Sequence, residues 1–355
     1  MRATLFLLLS AVLPLRAADW FVGGDLSATG RMEQLGASYR DRDGKPSDPI
    51  RAMASFGCNC VRLRLFVSPD GKGFTNNDLP YTLALAKRAK AAKQSILLDF
   101  HYSDTWADPS NQSIPAAWPQ ADAAALAEKV ESYTRETLRA FAKENVFPDL
   151  VQIGNEIDNG MLWPVGKIWR TSGQPADWDT FSDLLKAGAR GVRGGTPDGK
   201  HVRIILHTAT GGIIGKTSYF HGRMRERGVD YDIAGLSYYP WWHGTLDQLR
   251  ENTRWLAANT GKQVMVVEAG FRWWPDPNKK EPAFAWPATP DGQAAFLRDV
   301  IRVVREIPDG KGIGVLWWHP DSIPAKGDHV WYGGSCALWK PDGTPLPALN
   351  EFRKP

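Results

Sequence analysis

Leu150-Val151-Gln152-Ile153-Gly154-Asn155-Glu156 starts as a short apolar, β-branched run and ends in Gly, Asn and Glu, with no Pro inside it. Such a run reads as a buried parallel strand that delivers one carboxylate to the point where the chain leaves the sheet. Val264-Met265-Val266-Val267-Glu268 repeats the arrangement. Outward from these two runs the same order recurs along the chain: apolar run, loop, amphipathic helix, next apolar run. The strands this predicts are Trp20–Gly24, Cys60–Val67, Ser95–Phe100, Leu150–Asn155, Val202–His207, Ile233–Ser237, Val264–Glu268 and Ile313–Trp318, eight in all. The intervening helices are expected over Tyr81–Lys93, Ala121–Lys143, Phe181–Arg193, Leu246–Asn259 and Asp291–Glu306, most opening after Pro, Asp or Thr and closing near Gly or Asn.

Eight strands alternating with helices predict an α/β chain folded as a single (β/α)8 TIM barrel. A doubly wound open sheet is the rival, but Gly23-Gly24-Asp25-Leu26-Ser27 does not supply the Gly-rich phosphate turn expected after its first strand. Active sites in the barrel fold lie at the C-terminal ends of the strands. The polar residues of this chain gather there. Strand two ends with Arg62 and Arg64, two apart and therefore on one face. Strand three runs into Asp99, His101, Tyr102, Asp104 and Trp106, and strand four into Asn155 and Glu156. His207, Ser237-Tyr238-Tyr239, Glu268 and Trp317-Trp318-His319 end the last four.

A length of 355 residues suits one such barrel, and 43 Lys and Arg against 39 Asp and Glu leave a net charge of only +4. The basic residues are scattered, so neither nucleic acid nor an anionic membrane is an expected partner. Sixteen Trp is a high count. Some fill the core, while others fit the apolar C–H faces of sugar rings; Trp241-Trp242 and Trp317-Trp318 each place adjacent indoles on opposite sides of the chain. Arg2, an apolar stretch from Leu5 to Leu15 and Arg16-Ala17-Ala18 read as a secretory signal peptide over 1–17, leaving a catalytic domain over 18–355. The mature protein is expected to be secreted or periplasmic, without a membrane anchor, and monomeric. Cys58, Cys60 and Cys336 allow at most one disulfide. The C-x-C spacing lacks the ligand number that zinc needs.

Retaining glycosidic cleavage needs a protonated carboxyl to assist the leaving oxygen and an ionised one to attack the anomeric carbon, about 5–5.5 Å apart. Strands four and seven of an eight-stranded barrel can face each other across its mouth. Glu156, beside Asn155, whose amide can hold a sugar 2-hydroxyl, suits the acid/base; Glu268, at the tip of a more apolar strand, suits the nucleophile. Either Arg62 or Arg64 can lie beneath Glu268 and keep it ionised. His207 and Tyr238 are expected to orient the two carboxylates. A lone Glu after a strand reads equally as a helix cap or a surface carboxylate; two of them, with Asn before one and Arg two strands from the other, favour the catalytic reading.

Asp99-Phe100-His101-Tyr102-Ser103-Asp104-Thr105-Trp106-Ala107-Asp108-Pro109, with Gln112 and Pro115-Ala116-Ala117-Trp118, resembles the strand-three signature of glycoside hydrolase family 53. These are arabinogalactan endo-β-1,4-galactanases of the retaining clan A. The resemblance continues through Val151–Ile157 with Gly160-Met161-Leu162-Trp163-Pro164, through Gly235–Gly244 and at Val266-Val267-Glu268. Gly24-Asp25-Leu26-Ser27 and Val61–Leu65 also fit, so nearly the whole mature chain is covered. It implies hydrolysis, with retention, of internal β-1,4-galactosidic bonds in the galactan side chains of pectin. By the family's pattern Glu156 matches the acid/base and Glu268 the nucleophile. An open groove lined by aromatics is implied too, with Trp106, Trp163, Trp242 and Trp317 as subsite platforms and Arg62, Arg64, His101, Asp104, Asn155, His207 and Tyr238 binding or orienting substrate.

Phe66 stands where the family usually has Trp, Lys93-Gln94 replaces a common Gly-containing turn, and Ala269-Gly270-Phe271 departs from its usual continuation, so the subsite contacts are expected to differ. Some bacterial members hold calcium in the loops after strands seven and eight. Asp276-Pro277-Asn278 would offer two oxygen ligands here, but Lys279-Lys280 follows. No metal and no cofactor is expected. The alternatives are another clan A endo-glycosidase, of mannanase or cellulase type, and a non-catalytic polysaccharide-binding protein. The last has no need of a paired acid and nucleophile.

Overall fold

A computed structural model describes residues 19–120, 122–169, 175–275 and 283–353. The expected leader at 1–17 and the Asp276–Lys280 segment lie outside them. Eight parallel strands close a barrel in chain order: β1 (Phe21–Asp25), β2 (Cys60–Leu65), β3 (Ser95–Phe100), β4 (Leu150–Ile153), β5 (Arg203–Thr208), β6 (Ile233–Tyr238), β7 (Gln263–Ala269) and β8 (Gly312–Trp317). The expected (β/α)8 barrel is the observed fold, with strand ends displaced by only one or two residues. β4 stops earlier than expected because Gly154, at φ +85°, turns the chain out of the sheet; a Cβ there would stand 2.6 Å from Ile157 Cγ2.

Each strand is followed by a helix: α1 (Pro49–Ser55), α2 (Leu79–Ala91), α3 (Ala123–Lys143), α4 (Trp178–Gly195), α5 (Ile214–Glu226), α6 (Leu246–Thr260), α7 (Pro290–Arg305) and a closing 3₁₀ segment, Pro347–Arg353. The starts have chemical causes. Asp48, Asp78, Asp122, Asp177, Thr245 and Thr289 accept hydrogen bonds from first-turn amides, and Pro holds the first or second position in α1, α2 and α7.

Side chains inside the barrel form two zones. At the N-terminal end Phe21, Cys60, Leu97, Leu150, Ile205, Ile233, Met265 and Ile313 make an apolar plug. Above it the same faces carry Asp25, Arg62, Asp99, Gln152, His207 and Ser237, all fully buried. Two bulges alter this alternation. Leu236 pairs with Val266 but Ser237 pairs with Glu268, so Val267 is an extra residue and Glu268 turns into the barrel mouth. Val264 pairs with Gly312 but Met265 with Gly314, so Ile313 is extra and β8 changes parity.

The second bulge overturns one expectation. Trp317 faces the helices, where its Nε1–H donates to Cys336 O at 2.8 Å and its ring meets Phe296 edge-on, so it is core and not a sugar platform. The three cysteines are free and buried.

Candidate active site

Arg62 organises the mouth of the barrel. Its Nη1 lies 3.1 Å from Asp25 Oδ2 and 2.9 Å from Glu268 Oε1, and its Nη2 donates to Asp99 Oδ2 at 2.8 Å and Asn155 Oδ1 at 2.7 Å. Burial disfavours this charge, but Asp99, Glu268 and Asp25 outweigh it and hold the guanidinium above its ordinary range. Glu268 also accepts from the Tyr239 hydroxyl at 2.9 Å. Of the two arginines weighed, Arg62 is therefore the one beneath Glu268. Arg64 lies under Trp106, its guanidinium carbon 4.1 Å from the ring centroid, and its Nη1 contacts His319 Nε2 at 2.7 Å. Burial and the two arginines keep His319 neutral, so it accepts that bond.

Glu156 sits in the left-handed region, at φ +46°, which a non-glycine residue adopts only when its surroundings enforce it. Gln112 supplies that enforcement: its side-chain amide donates to the Asn155 carbonyl at 2.8 Å and reaches that of Glu156 at 3.3 Å. The Glu156 carboxylate accepts from Ser237 Oγ at 2.6 Å, and Ser237 contacts His207 Nε2 at 2.8 Å. His207 Nδ1 in turn lies 2.9 Å from Asn155 Oδ1. Burial, with Arg62 nearby, holds His207 well below its usual range, so it is neutral.

An oxygen of Glu156, an oxygen of Glu268 and a ring nitrogen of His207 lie within 4.8 Å of one another. The two glutamates are unequal. Burial, and then the charge of Glu268, push the Glu156 carboxyl well above the usual range, opposed by the Ser237 bond. Burial also raises Glu268, but Arg62 and Tyr239 pull the other way. A single proton shared by this pair therefore resides on Glu156 and leaves Glu268 ionised. Close behind, burial moves Asp158 up to about 6, its Oδ2 accepting from the Ala209 amide at 2.8 Å.

The glutamates open into a cleft of about 980 Å³ whose walls include Phe74, Trp106, Lys216, Tyr239, Trp242, Trp318 and Trp331. Of the residues singled out from sequence, Arg62, Asn155, His207, Glu156 and Glu268 meet directly, with Arg64 and Trp106 alongside and Trp242 on the rim. His101 faces Asp99, Nε2 to Oδ2 3.1 Å, and its Nδ1 accepts from the Ala107 amide at 3.0 Å. Three others are placed elsewhere. Tyr238 points outward, stacked on Phe296 with its hydroxyl on Gly244 O; Tyr239, one residue on, is the orienting tyrosine. Asp104 ties two loops together by accepting from the Ser68 and Ala116 amides. Trp163 is covered by the Lys167 ammonium at 4.3 Å. Strand parity was the available signal for Ser237 and Tyr239, since Ile233, Gly235, Ser237 and Tyr239 share a face.

Ser237→Ala is expected to move the alkaline limb of kcat/KM to higher pH. The lost bond favours ionised Glu156, so without it that group keeps its proton longer; a pH–rate profile checks the direction.

A parallel eight-stranded barrel with two unequal carboxylates at its mouth, one on an arginine and one beside an Asn, defines a glycoside hydrolase of the retaining type. Residues 21–352 match the model of glycosyl hydrolase family 53, and the chain belongs to that family. It is 38% identical over 330 residues to a probable arabinogalactan endo-β-1,4-galactanase A of Aspergillus terreus, covering 87% of this chain and 88% of that one. To the endo-β-1,4-galactanase of Bacillus subtilis it is 30% identical, covering 94% and 86%. The solved catalytic domain of an Ignisphaera aggregans family 53 protein superposes with a TM-score of 0.85 at 34% identity, covering 96% and 97%.

Proposed function

We propose that this protein is an endo-acting, retaining hydrolase of β-1,4-galactan, with Glu156 as acid/base and Glu268 as nucleophile. The observation that carries the mechanism is the unequal support of two carboxylates whose oxygens approach within 4.8 Å. Such spacing leaves room for a sugar carbon between them but not for an attacking water as well. In the first step ionised Glu268 attacks the anomeric carbon while Glu156 gives its proton to the departing oxygen. In the second, Glu156 takes a proton from water, which displaces Glu268. Trp318 lines the cleft beside them, its indole stacked on His319. The galactan assignment is supported by family membership and by the names its relatives carry.

The test is reducing-end release from potato galactan compared with mannan and carboxymethylcellulose, with NMR of the first-formed anomer. Release from galactan alone, with β product appearing first, is expected. Preference for either other polymer would move the protein to a mannanase or cellulase reading. Binding of galactan with no release would make it a binding protein.

Tyr239→Phe is expected to move the acid limb of kcat/KM to higher pH. The lost bond stabilises ionised Glu268, so the variant needs a higher pH to keep that group charged. An acid limb that stayed in place would remove Tyr239 from this role.

The leader-like N-terminus supports export to the periplasm or outside the cell, with the mature chain acting as a monomer without metal, cofactor, nucleic acid or membrane anchor. Fractionation, and sedimentation of the mature chain, test this.

A further inference from the structure

Among the described residues three large aromatic side chains stand well exposed: Trp242 at 57%, Trp169 at 49% and Tyr219 at 43%. Trp242 lines the cleft. The other two meet each other, with rings 20° from parallel and centroids 6.2 Å apart. Both are backed by Trp178, itself buried, which meets them edge-on at 6.4 and 5.5 Å. The Trp169 amide donates to Asn159 Oδ1 at 3.0 Å, and the Arg223 guanidinium lies 4.9 Å from the Tyr219 ring. An aromatic surface held this way costs little further ordering when a ligand arrives.

The pair lies outside the cleft lining, on two elements that lead away from it. Ile213 and Lys216 line the cleft wall at the start of α5, and Tyr219 follows Lys216 by three residues on the same helix, about 4.5 Å of rise. Asn159, which anchors Trp169, belongs to the loop that leaves Glu156. The loop that leaves Glu156 and the start of α5 thus both lead from the cleft toward the pair. Paired indole and phenol rings, apolar on their faces and polar at one edge, match a pyranose chain whose C–H faces are apolar and whose rim carries hydroxyls.

We propose that Trp169 and Tyr219 form a distal subsite for the leaving-group half of a β-1,4-linked hexopyranose chain, reached past Glu156 along the start of α5. This rests on the galactanase reading and on Glu156 as the acid.

The experiment uses the full chain with long β-1,4-galactan, galactotetraose and a galactohexaose labelled with ¹⁸O at its reducing end. Trp169→Ala and Tyr219→Ala are each expected to lower the ratio of kcat/KM on galactan to that on galactotetraose about fivefold, chiefly through KM. They are also expected to shift cleavage of the hexaose toward its reducing end, so that labelled fragments shorten. Trp169→Phe, which keeps an aromatic face, should restore most of both effects. An unchanged ratio and pattern while galactan is still cut overturns the subsite alone. A shift away from the reducing end overturns its assignment to the leaving-group side. If the wild-type protein leaves galactan intact, the substrate reading and the subsite fall together.

Discussion

Glu268→Ala is expected to lower kcat on galactan by on the order of 10⁵-fold while the protein still folds, because in the proposed mechanism it deletes the carboxylate that forms the covalent intermediate. Azide should rescue this variant on an aryl β-galactoside, attacking from the vacated face to give the α-glycosyl azide. Glu156→Ala should behave differently. Its first step survives with an aryl leaving group that needs no proton, the glycosyl-enzyme accumulates, and azide then gives the β-glycosyl azide. The configuration of the two azides, read by NMR, is the decisive measurement. The opposite pairing would exchange the roles of the two glutamates and with them the assignment of the shared proton. The asymmetry expected in solution is the one in the structure: Glu268 accepts from Arg62 and Tyr239, whereas Glu156 accepts from Ser237, whose hydroxyl is 2.6 Å from Glu156 and 3.4 Å from Glu268.

The barrel is readable from sequence because each strand is a compact, mostly apolar run with polar residues at its C-terminal end, and parallel strands buried on both faces leave that signature. The long helices capped by Asp or Thr were readable for the same local reason. The seven-residue α1, although capped by Asp48, was too short to show a period, and α5 was not readable either. α5 contains Gly215 and Gly222, has no side-chain cap, and is held by tertiary burial of Thr217, Phe220, His221 and Met224 at helical spacing.

The site divides along a similar line. Residues at strand ends could be brought to one rim by topology alone, but the direction of each side chain depends on register. From Met265 inward, plain alternation sends Glu268 toward the helices, and from Ile313 it sends Trp317 into the mouth. The bulges at Val267 and Ile313 reverse both, and nothing in Val264–Glu268 or Gly312–Trp317 announces an extra residue. Bulges are properties of a strand pair, so one strand read by itself cannot reveal them. Trp318 and the contacts of Glu268 thus became visible only in the closed barrel.

Arg62→Met is the change expected to damage both fold and chemistry. The guanidinium is fully buried and bridges Asp25, Asp99 and Glu268 while donating to Asn155. Removing one partner of such a cluster leaves buried like charges uncompensated, a loss of about 3–5 kcal/mol. Urea unfolding should show it as a lower midpoint at similar slope. Turnover should fall a further 10²–10³-fold or so beyond what instability explains, the cost of losing a preorganised donor beside developing charge. Glu268 would hold its proton to higher pH without the guanidinium, so the acid limb of kcat/KM should move up. Arg62→Lys should recover only part, since one ammonium cannot reproduce the planar fork that reaches four partners. The double variant with Glu268→Gln separates the two effects. If Arg62 stabilises the protein partly through Glu268, removing both groups costs less than the sum of the single losses; simple additivity would place the role of Arg62 wholly in its bonds to Asp25, Asp99 and Asn155.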